Sequence, residues 1–390
     1  MQYRRFGRTN LQMPVISCGG MRYQHAWNDT ELSAIPADNQ KNLEATIHRA
    51  VELGINHIET ARGYGSSEVQ LGEVLPKLPR DKIIVQTKVA PFSDPKEFVA
   101  TFEKSMERLK LDHVDLFSLH GINNDETLDW AIRKGGCLER ARQFQKEGRC
   151  RFIGFSTHAV PRVITQAINT GEFDYLNLHW YFVNDFNWPS VLAATRQDMG
   201  VFIISPNDKG GMLQNPVPKM IELCRPLTPM QFNDLYCLAR PEVHTLSCGA
   251  SKPTDFDEHV AALEFTGDIA PIEARLRAEL VRVHGPEWCA HWQTGLPEFS
   301  VVPKQVNVSE ILRLWTYAKG LDLVPWGKMR YNLLSGGGGH WFPGEMANKM
   351  DEATLLPAIA GNPFAAKIPG ILREAHALLY EAPKKRLSES

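Results

Sequence analysis

The sequence predicts an α/β fold in which eight parallel strands and their connecting helices close into a barrel. Eight apolar runs of strand length recur between residues 15 and 250, without the polar alternation of a half-exposed strand. Helical patterns separate them, as in repeated strand–helix units. An open, doubly wound sheet is the alternative, because alternation alone does not determine closure. The runs are 15–19, 57–60, 83–89, 114–120, 151–157, 175–180, 201–207 and 244–250.

The segments around these runs fit the same order. The short segment before the first run is predicted to form a hairpin. Apolar residues recur at helical spacing in 42–53, 96–109 and 128–145. Gly54 and Gly148 follow two of these patterns, and glycine often ends a helix.

The strand–helix rhythm stops near residue 267. Residues 267–390 carry helical patterns such as PIEARLRAELVRV but no clear strand. We therefore expect a barrel domain at 1–266 and a mostly helical C-terminal extension at 267–390.

Composition argues against several classes of function. The chain has 390 residues and a net charge of -2, so a wide basic surface for nucleic acid or acidic lipid is not expected. No apolar run is long enough to span a membrane, and the start is too polar for a signal peptide. Seven scattered cysteines without CxxC spacing favour a reducing cytosol over a disulfide framework or structural zinc. We expect a cytoplasmic protein, monomeric or homo-oligomeric, without nucleic-acid or membrane partners.

Three consecutive strands each end in one lone ionisable side chain. These are Glu59, Lys88 and His120, and Tyr64 follows Glu59 across a glycine-containing turn. In parallel α/β folds the working residues lie at the carboxyl ends of strands, and consecutive barrel strands are neighbours. The four side chains should therefore converge.

Such a set suits proton donation to a carbonyl oxygen while a hydride reaches the carbonyl carbon. A tyrosine with a pKa of about 10 is a weak acid at neutral pH. A nearby ammonium lowers that pKa, a carboxylate would hold the ammonium in place, and an imidazole would orient the carbonyl. The simpler alternatives are a packing tyrosine, a structural salt bridge and a satisfied core histidine.

These residues lie in motifs that resemble those of the aldo-keto reductases. The chain has GINHIETARGYG where that family has Gly-x-x-x-x-Asp-Thr-Ala-x-x-Tyr-Gly, then QTK and SLH at the strand-end lysine and histidine. The resemblance implies a TIM barrel that interconverts small carbonyl compounds and alcohols with NADPH, or with NADH. By position it makes Tyr64 the acid, Lys88 its pKa-lowering partner and His120 the carbonyl-orienting residue. Glu59 replaces an aspartate, with the same charge and one more methylene.

The resemblance also implies a set of dinucleotide-binding residues. Asp255 departs from many relatives, which have Arg or Gln there, and its carboxylate would repel a 2′-phosphate. The set comprises Gly20, Met21, Ser156, Thr157 and Asn177 at the nicotinamide end, Ser205, Pro206, Asn207, Lys209 and Gly210 at the diphosphate, and Gly249, Ser251, Lys252, Asp255 and Glu258 at the adenosine end.

Two further segments bear on the cofactor and the substrate. Some long relatives bind a cubane iron–sulfur cluster through C-terminal cysteines. Only Cys289 remains here, while such a cluster needs about four cysteine ligands, so we expect no cluster and no metal. The loop 21–37, which contains Tyr23 and Trp27, would either line a substrate pocket or simply pack.

A second functional hypothesis is a dinucleotide-binding sensor or regulatory subunit with little turnover. Glu59 in place of aspartate, Ile204 in place of a stacking tyrosine and the degenerate cluster motif favour it. A metal hydrolase is not supported, because no carboxylate–histidine set has ligand spacing.

Overall fold

The computed structural model describes residues 1–381, in which ten strands and seventeen α-helices are formed. The strands are β1 Tyr3–Arg5, β2 Gln12–Pro14, β3 Ile16–Gly19, β4 His57–Glu59, β5 Ile84–Val89, β6 Val114–His120, β7 Cys150–Ser156, β8 Tyr175–Leu178, β9 Gly200–Ile204 and β10 Thr245–Gly249. The helices are α1 Ala37–Glu52, α2 Ser67–Leu71, α3 Pro95–Leu109, α4 Asp125–Ile132, α5 Cys137–Lys146, α6 Pro161–Asn169, α7 Trp188–Arg196, α8 Pro206–Lys209, α9 Pro218–Cys224, α10 Pro229–Leu238, α11 Asp255–Ala262, α12 Ala270–His284, α13 Pro286–His291, α14 Val308–Gly320, α15 Val324–Tyr331, α16 Glu352–Ala358 and α17 Ile368–Leu379.

Strands β3 to β10 close into an eight-stranded parallel barrel in chain order. The last strand, β10, pairs with both β9 and β3, which closes the sheet and excludes an open one. Each predicted strand is present within three residues of its expected bounds. With helices between successive strands, the predicted (β/α)8 TIM barrel is confirmed, as is the N-terminal hairpin of β1 and β2.

The barrel interior is arranged in layers, because residues two apart on a strand face the same side. Ser17 Oγ hydrogen-bonds His57 Nδ1 and Thr245 Oγ1, both at 2.7 Å, and so links three neighbouring strands. Two residues further along these strands lie Gly19, Glu59 and Ser247. That next layer is closer to the carboxyl ends of the strands, where the candidate site lies.

The hairpin closes the opposite end of the barrel. The Phe6 ring packs on Tyr175, the first residue of β8, with ring centroids 5.6 Å apart. Gly7 has a φ of +52°, and a Cβ there would lie 2.4 Å from Gly200 N, so the close approach requires glycine. The buried cluster at this floor comprises Phe6, Met13, Ile84, Leu116, Tyr175 and Phe202.

One predicted helix differs from the structure. The pattern at 128–145 is divided between α4 and α5, with a break that contains Gly135 and Gly136. A Cβ at Gly136 would lie 2.7 Å from the Arg133 carbonyl oxygen, so the chain turns tightly there. The apolar spacing continues across the turn, which is why the sequence pattern did not reveal it.

The chain divides into two compact units. The first contains Met1–Pro206 and Asn233–Phe265, and the second contains Asn207–Phe232 and residues 266–381. Segment 207–232 joins the later residues because its side chains bond to them: Lys219 Nζ, for example, donates to Asp322 Oδ1 at 3.0 Å. The domain boundary expected between 266 and 267 stays a prediction.

The second unit is helical around a core of aromatic side chains. The Trp288 indole N–H donates to Thr316 Oγ1 at 3.0 Å, and its ring lies 5.3 Å from that of Trp315. Residues 266–381 form no strand. Across the described chain, 1–381, we find no helix with both the length and the apolar character that a membrane crossing requires.

Candidate active site

The ends of β4 and β5 and the turn after β4 bring three of the predicted residues together. The Lys88 ammonium contacts Glu59 Oε1 and also donates to the Thr60 carbonyl oxygen at 2.8 Å. The Tyr64 hydroxyl donates to the same Glu59 Oε1 at 3.3 Å. Lys88 Nζ lies 4.8 Å from the centroid of the Tyr64 ring. One carboxylate oxygen therefore joins the phenol and the ammonium.

Burial controls the protonation of this group. The side chains of Glu59 and Lys88 are 2% and 1% exposed. Burial lowers the pKa of Lys88 below its usual value, whereas the contacting Glu59 carboxylate favours the charged ammonium. Burial, and then the neighbouring Tyr23 phenol, raises the pKa of Tyr64. Because the Glu59 carboxylate lies against the ammonium, it balances the charge that would favour a phenolate. The pKa-lowering role of Lys88 stays a prediction.

His120 lies beside this group, at the end of β6. Its ring meets the Tyr64 ring edge-on, with centroids 5.6 Å apart and an interplanar angle of 83°. Strand register places His120 opposite Ser156 on β7, and Ser156 opposite Asn177 on β8. The imidazole thus adjoins both the phenol and the strand that carries the expected nicotinamide residues.

Asn177 has the donor that a nicotinamide carboxamide needs. The side chain is fully buried, and its Oδ1 accepts a hydrogen bond from Gln86 Nε2 at 3.4 Å. Within residues 1–381, the buried Asn177 Nδ2 has no hydrogen-bond partner. An unpaired buried donor is costly unless a ligand uses it. The residue therefore fits the binding of an amide oxygen.

The two β7 residues differ in how they are used. Ser156 Oγ accepts the Gly121 N–H at 3.1 Å, and no acceptor within residues 1–381 takes the proton of its own hydroxyl. Thr157 Oγ1 donates to the Ile122 carbonyl oxygen at 2.6 Å and accepts the Ala159 N–H at 3.0 Å. Thr157 is thus engaged by its own loop, and Ser156 is the better candidate for a ligand contact.

Backbone rather than side chains defines the end of the first barrel strand. A Cβ on Gly20 would lie 2.5 Å from the Glu59 carbonyl oxygen, so only glycine fits beside the site. Met21, the next residue, is 37% exposed. After β9, Ser205 has a φ of +52° and Pro206 begins α8. A non-glycine residue with positive φ at a strand end often marks a functional turn.

Three of the predicted diphosphate residues belong to the second unit. The Asn207 carbonyl oxygen accepts the Leu213 N–H at 2.8 Å, and the Lys209 carbonyl oxygen accepts the Trp326 indole N–H at 3.0 Å. Gly210 is buried in the same turn. Their role with a diphosphate stays a prediction.

The loop after β10 is organised by Asp255, the first residue of α11. Asp255 Oδ2 accepts the Ser251 N–H at 2.8 Å, the Ser251 hydroxyl at 3.0 Å and the Lys252 N–H at 3.3 Å. Gly249 ends β10, and Glu258 lies one helical turn after Asp255. Phosphate sites in barrels often lie in the loops after the seventh and eighth strands. Here a carboxylate already uses the donors of that loop.

The loop 21–37 both packs and reaches the site. Tyr23 is 1% exposed and belongs to the core. Trp27 meets the Tyr64 ring edge-on at a centroid distance of 6.5 Å. Gly65 has a φ of +54°, and a Cβ there would lie 2.0 Å from the Ala26 carbonyl oxygen. This contact holds Trp27 beside the phenol.

Ser247 is a site residue that sequence reasoning missed. Its hydroxyl donates to Glu59 Oε2 at 3.1 Å, the oxygen that Lys88 and Tyr64 leave open. Ser247 lies two residues after Thr245 on β10, on the interior face. The period of two along a strand would have placed its hydroxyl inside the barrel.

The described residues contain one compact group with metal-ligand chemistry, formed by Asp234, Cys248 and His259. His259 Nδ1 lies 2.5 Å from Asp234 Oδ2. Two ligands of one zinc ion would be about 3.3 Å apart, given metal–ligand distances of about 2.0–2.1 Å. Burial lowers the pKa of His259, but its interactions with Cys248 and Asp234 raise it further, so the net change is well upward. The geometry is that of a buried hydrogen-bonded pair, and the absence of a bound metal stays a prediction.

Comparison with known proteins gives a consistent result. A sequence model of the aldo/keto reductase family matches residues 15–215, just over half of the chain. The chain is 25% identical to the L-galactose dehydrogenase of Arabidopsis thaliana, over 67% of this chain and 88% of that protein. It is 24% identical to an uncharacterized oxidoreductase, YqkF, of Bacillus subtilis, over 73% and 99%.

Solved structures share the fold. An aldo-keto reductase of Bacillus halodurans in its holo form superposes with a TM-score of 0.59 at 21% identity, over 70% of this chain and 95% of that one. An aldo-keto reductase of Klebsiella pneumoniae in complex with NADPH gives 0.58 at 20% identity, over 73% and 95%. Together with the family match over the strands that carry Glu59, Lys88 and His120, these findings assign the chain to the aldo/keto reductase family of oxidoreductases.

Proposed function

We propose that this protein is an NADPH-dependent reductase of aldehydes or ketones, with Tyr64 as the general acid. The observation that carries the proposal is the contact of one Glu59 oxygen with both the Tyr64 hydroxyl and the Lys88 ammonium, beside the ring of His120. A phenol, an ammonium and an imidazole around one point supply what protonation of a nascent alkoxide requires.

The fit to a nicotinamide rests on two features of this chain. The unpaired Asn177 Nδ2 and the Ser156 hydroxyl would hold the carboxamide, and the backbone at Gly20, which packs closely against Glu59, would approach the ribose. When bound, the reduced nicotinamide would supply the hydride. Met21 after β3 and Ser205 after β9, on either side of β10, complete the proposed cofactor set nearest the reacting atoms.

The side chains would then divide the proton chemistry. Tyr64 stays protonated because burial raises its pKa, and it would pass that proton to the carbonyl oxygen as negative charge develops there. The Lys88 ammonium, which lies near the ring and is held by the Glu59 carboxylate, would stabilise the phenolate left behind. His120 would orient the carbonyl oxygen toward the phenol.

The choice of NADPH is supported by Lys252, whose cation suits a 2′-phosphate. Asp255 opposes it, because the carboxylate accepts the Ser251 and Lys252 N–H groups that a phosphate would use. NADH is therefore the alternative cofactor. The seven cysteines are free thiols, which is consistent with the proposed reducing compartment.

A sensor or regulatory subunit is the second candidate function. The observation that favours it is the hydrogen bond from Tyr64 to Glu59, which commits the phenolic proton to a carboxylate. Tight dinucleotide binding without consumption of NADPH or NADH across a panel of aldehydes, ketones and sugars would support the sensor.

The decisive experiment is the Tyr64→Phe variant. Loss of a general acid should lower kcat by roughly 10²–10⁴-fold with dinucleotide affinity nearly unchanged. The matched control is Tyr331→Phe, because the Tyr331 hydroxyl bonds His376 within the helical unit. Turnover by Tyr64→Phe at the wild-type rate would reject the mechanism, and equal losses in both variants would indicate a structural effect.

A further inference from the structure

The carboxylate of Glu59 is held from two sides. Its Oε1 contacts Lys88 and accepts the Tyr64 hydroxyl, whereas its Oε2 accepts the Ser247 hydroxyl at 3.1 Å. Glu59 is 1% exposed and Ser247 is 8% exposed, so solvent water has little access to Oε2 and could not readily take the place of the Ser247 hydroxyl. Rotation of the carboxylate would break the contacts of both oxygens at once.

The hydrogen bond between Ser247 and Glu59 passes over the intervening strand at a residue without a side chain. Ser247 is on β10 and Glu59 on β4, and β3 lies between them in the barrel. At the crossing point β3 has Gly19, the register partner of Glu59. A Cβ on Gly19 would lie only 2.6 Å from Ser247 Oγ. The bond therefore depends on a glycine in the intervening strand.

The length of Glu59 completes the set. A glutamate carries its carboxylate one methylene further from the strand than an aspartate does. Because of this extra length, Oε2 lies within hydrogen-bond distance of the Ser247 hydroxyl, while Oε1 contacts Lys88 and Tyr64. A glutamate side chain has one more rotatable bond than an aspartate, so without a second hydrogen bond its carboxylate would occupy more rotamers.

We propose that Ser247 is a positioning residue, which fixes the Glu59 carboxylate so that its other oxygen faces Lys88 and Tyr64. The inference rests on the proposed reductase function and names a further residue of that site. Ser247 touches no reacting atom and acts only through Glu59. Ser247, Gly19 and Glu59 form a matched set, in which the serine and the glycine fit the longer acid.

The first test is the Ser247→Ala variant. A hydrogen bond to a buried charged group is worth enough to lower kcat by roughly tenfold or more when it is lost. The KM values for carbonyl and dinucleotide should stay within about twofold, because the hydroxyl bonds Glu59 and would not be used by either ligand. Ser17→Ala is the control: Ser17 is the register partner of Ser247, is equally interior and bonds His57 and Thr245 instead. It should reduce stability without changing kcat.

The second test separates positioning from simple stabilisation. In a Glu59→Asp background the shorter acid no longer reaches Ser247, so Ser247→Ala should then change kcat by less than about twofold. Gly19→Ala, which presses a Cβ on the Ser247 oxygen, should lower kcat as Ser247→Ala does, and the two effects should not add. Equal losses in both Glu59 backgrounds, or wild-type kcat in Ser247→Ala, would overturn the proposal.

A crystal structure of Ser247→Ala keeps the inference testable if wild-type protein reduces no carbonyl, an outcome that would reject the reductase function itself. Positioning predicts that Glu59 then occupies more than one rotamer and loses its single contact with Lys88. An unchanged, fully occupied Glu59 conformation would show that Ser247 does not position it.

Discussion

The carboxylate of Asp255 accepts both the backbone N–H and the hydroxyl of Ser251, at 2.8 and 3.0 Å. It thereby occupies donors that a phosphate would use. We expect Asp255→Asn to raise the ratio of kcat/KM for NADPH to that for NADH by roughly five- to tenfold, because a like charge a few ångströms away costs about 1 kcal/mol in water. Steady-state kinetics with both cofactors at low and high salt would measure the change, which should shrink as salt rises.

The control for that change is Asp257→Asn. Asp257 is the next acid of the same helix, and Arg49 pairs with it at 2.7 Å. Its replacement should leave the cofactor ratio unchanged. An unchanged ratio in Asp255→Asn would show that no 2′-phosphate binds near this carboxylate.

Asn177 should lower the stability of the fold and strengthen the binding of a dinucleotide. Its buried Nδ2 has no partner in the described chain, and an unsatisfied buried donor costs about 1–3 kcal/mol. We expect Asn177→Leu, of similar size, to be at least as stable as wild type but to bind the dinucleotide roughly tenfold or more weakly. Thermal unfolding and fluorescence titration with NADPH would measure the two effects.

Ser118→Ala is the matched variant for Asn177. Ser118 lies in the same polar layer and bonds Gln86 at 3.0 Å and Tyr175 at 2.8 Å. Its loss should reduce stability and leave dinucleotide affinity unchanged. If Asn177→Leu bound NADPH as tightly as wild type, Asn177 would be a core residue only.

His57 should make the barrel sensitive to acid. Burial, and then the charge of Lys88, lowers the pKa of His57 to about 3. Between that pH and its unfolded pKa of about 6.5, only the unfolded chain binds this proton, so unfolding becomes easier as pH falls. One such group would remove up to about 5 kcal/mol of stability by pH 3.

Urea unfolding between pH 4 and 7 would measure this dependence. In His57→Asn the free energy of unfolding should fall less steeply with acid, whatever its value at neutral pH. Parallel pH dependences for wild type and His57→Asn would contradict the expectation.

The buried pair of His259 and Asp234 should be critical for stability. Both are almost fully buried, and His259 Nδ1 lies 2.5 Å from Asp234 Oδ2. We expect His259→Ala to destabilise the barrel by about 3–5 kcal/mol, because it leaves a buried carboxylate without its partner. The double variant Asp234→Asn, His259→Gln should cost less, since it removes the charge as well. A larger loss in the double variant, by urea unfolding, would contradict this.

The barrel could be predicted because its parallel strands are buried on both faces and read as apolar runs. The positions of Glu59, Lys88 and His120 followed, since a strand end fixes where a side chain lies. Ser247 was not predicted as a site residue, because the prediction relied on ionisable side chains at strand ends and serine carries no charge.

The hydrogen bonds made by loop residues could not be predicted from the sequence. Thr157 matched a family position, but its hydroxyl is committed to the Ile122 carbonyl oxygen of a neighbouring loop. The sequence indicated that Asp255 would repel a phosphate, but not that it bonds Ser251 and Lys252. Such choices depend on loop conformation, which no periodic pattern encodes.

The hairpin floor has a consequence for the far end of the barrel. Phe6 belongs to the same buried cluster as Phe202, whose ring lies 5.3 Å from that of His57, one layer below Glu59. Removal of the hairpin would expose this end of the barrel to water, which would raise the local dielectric constant around the Lys88–Glu59 pair. In an engineered form that lacks the hairpin, the Lys88–Glu59 ion pair should therefore weaken before the barrel strands unfold.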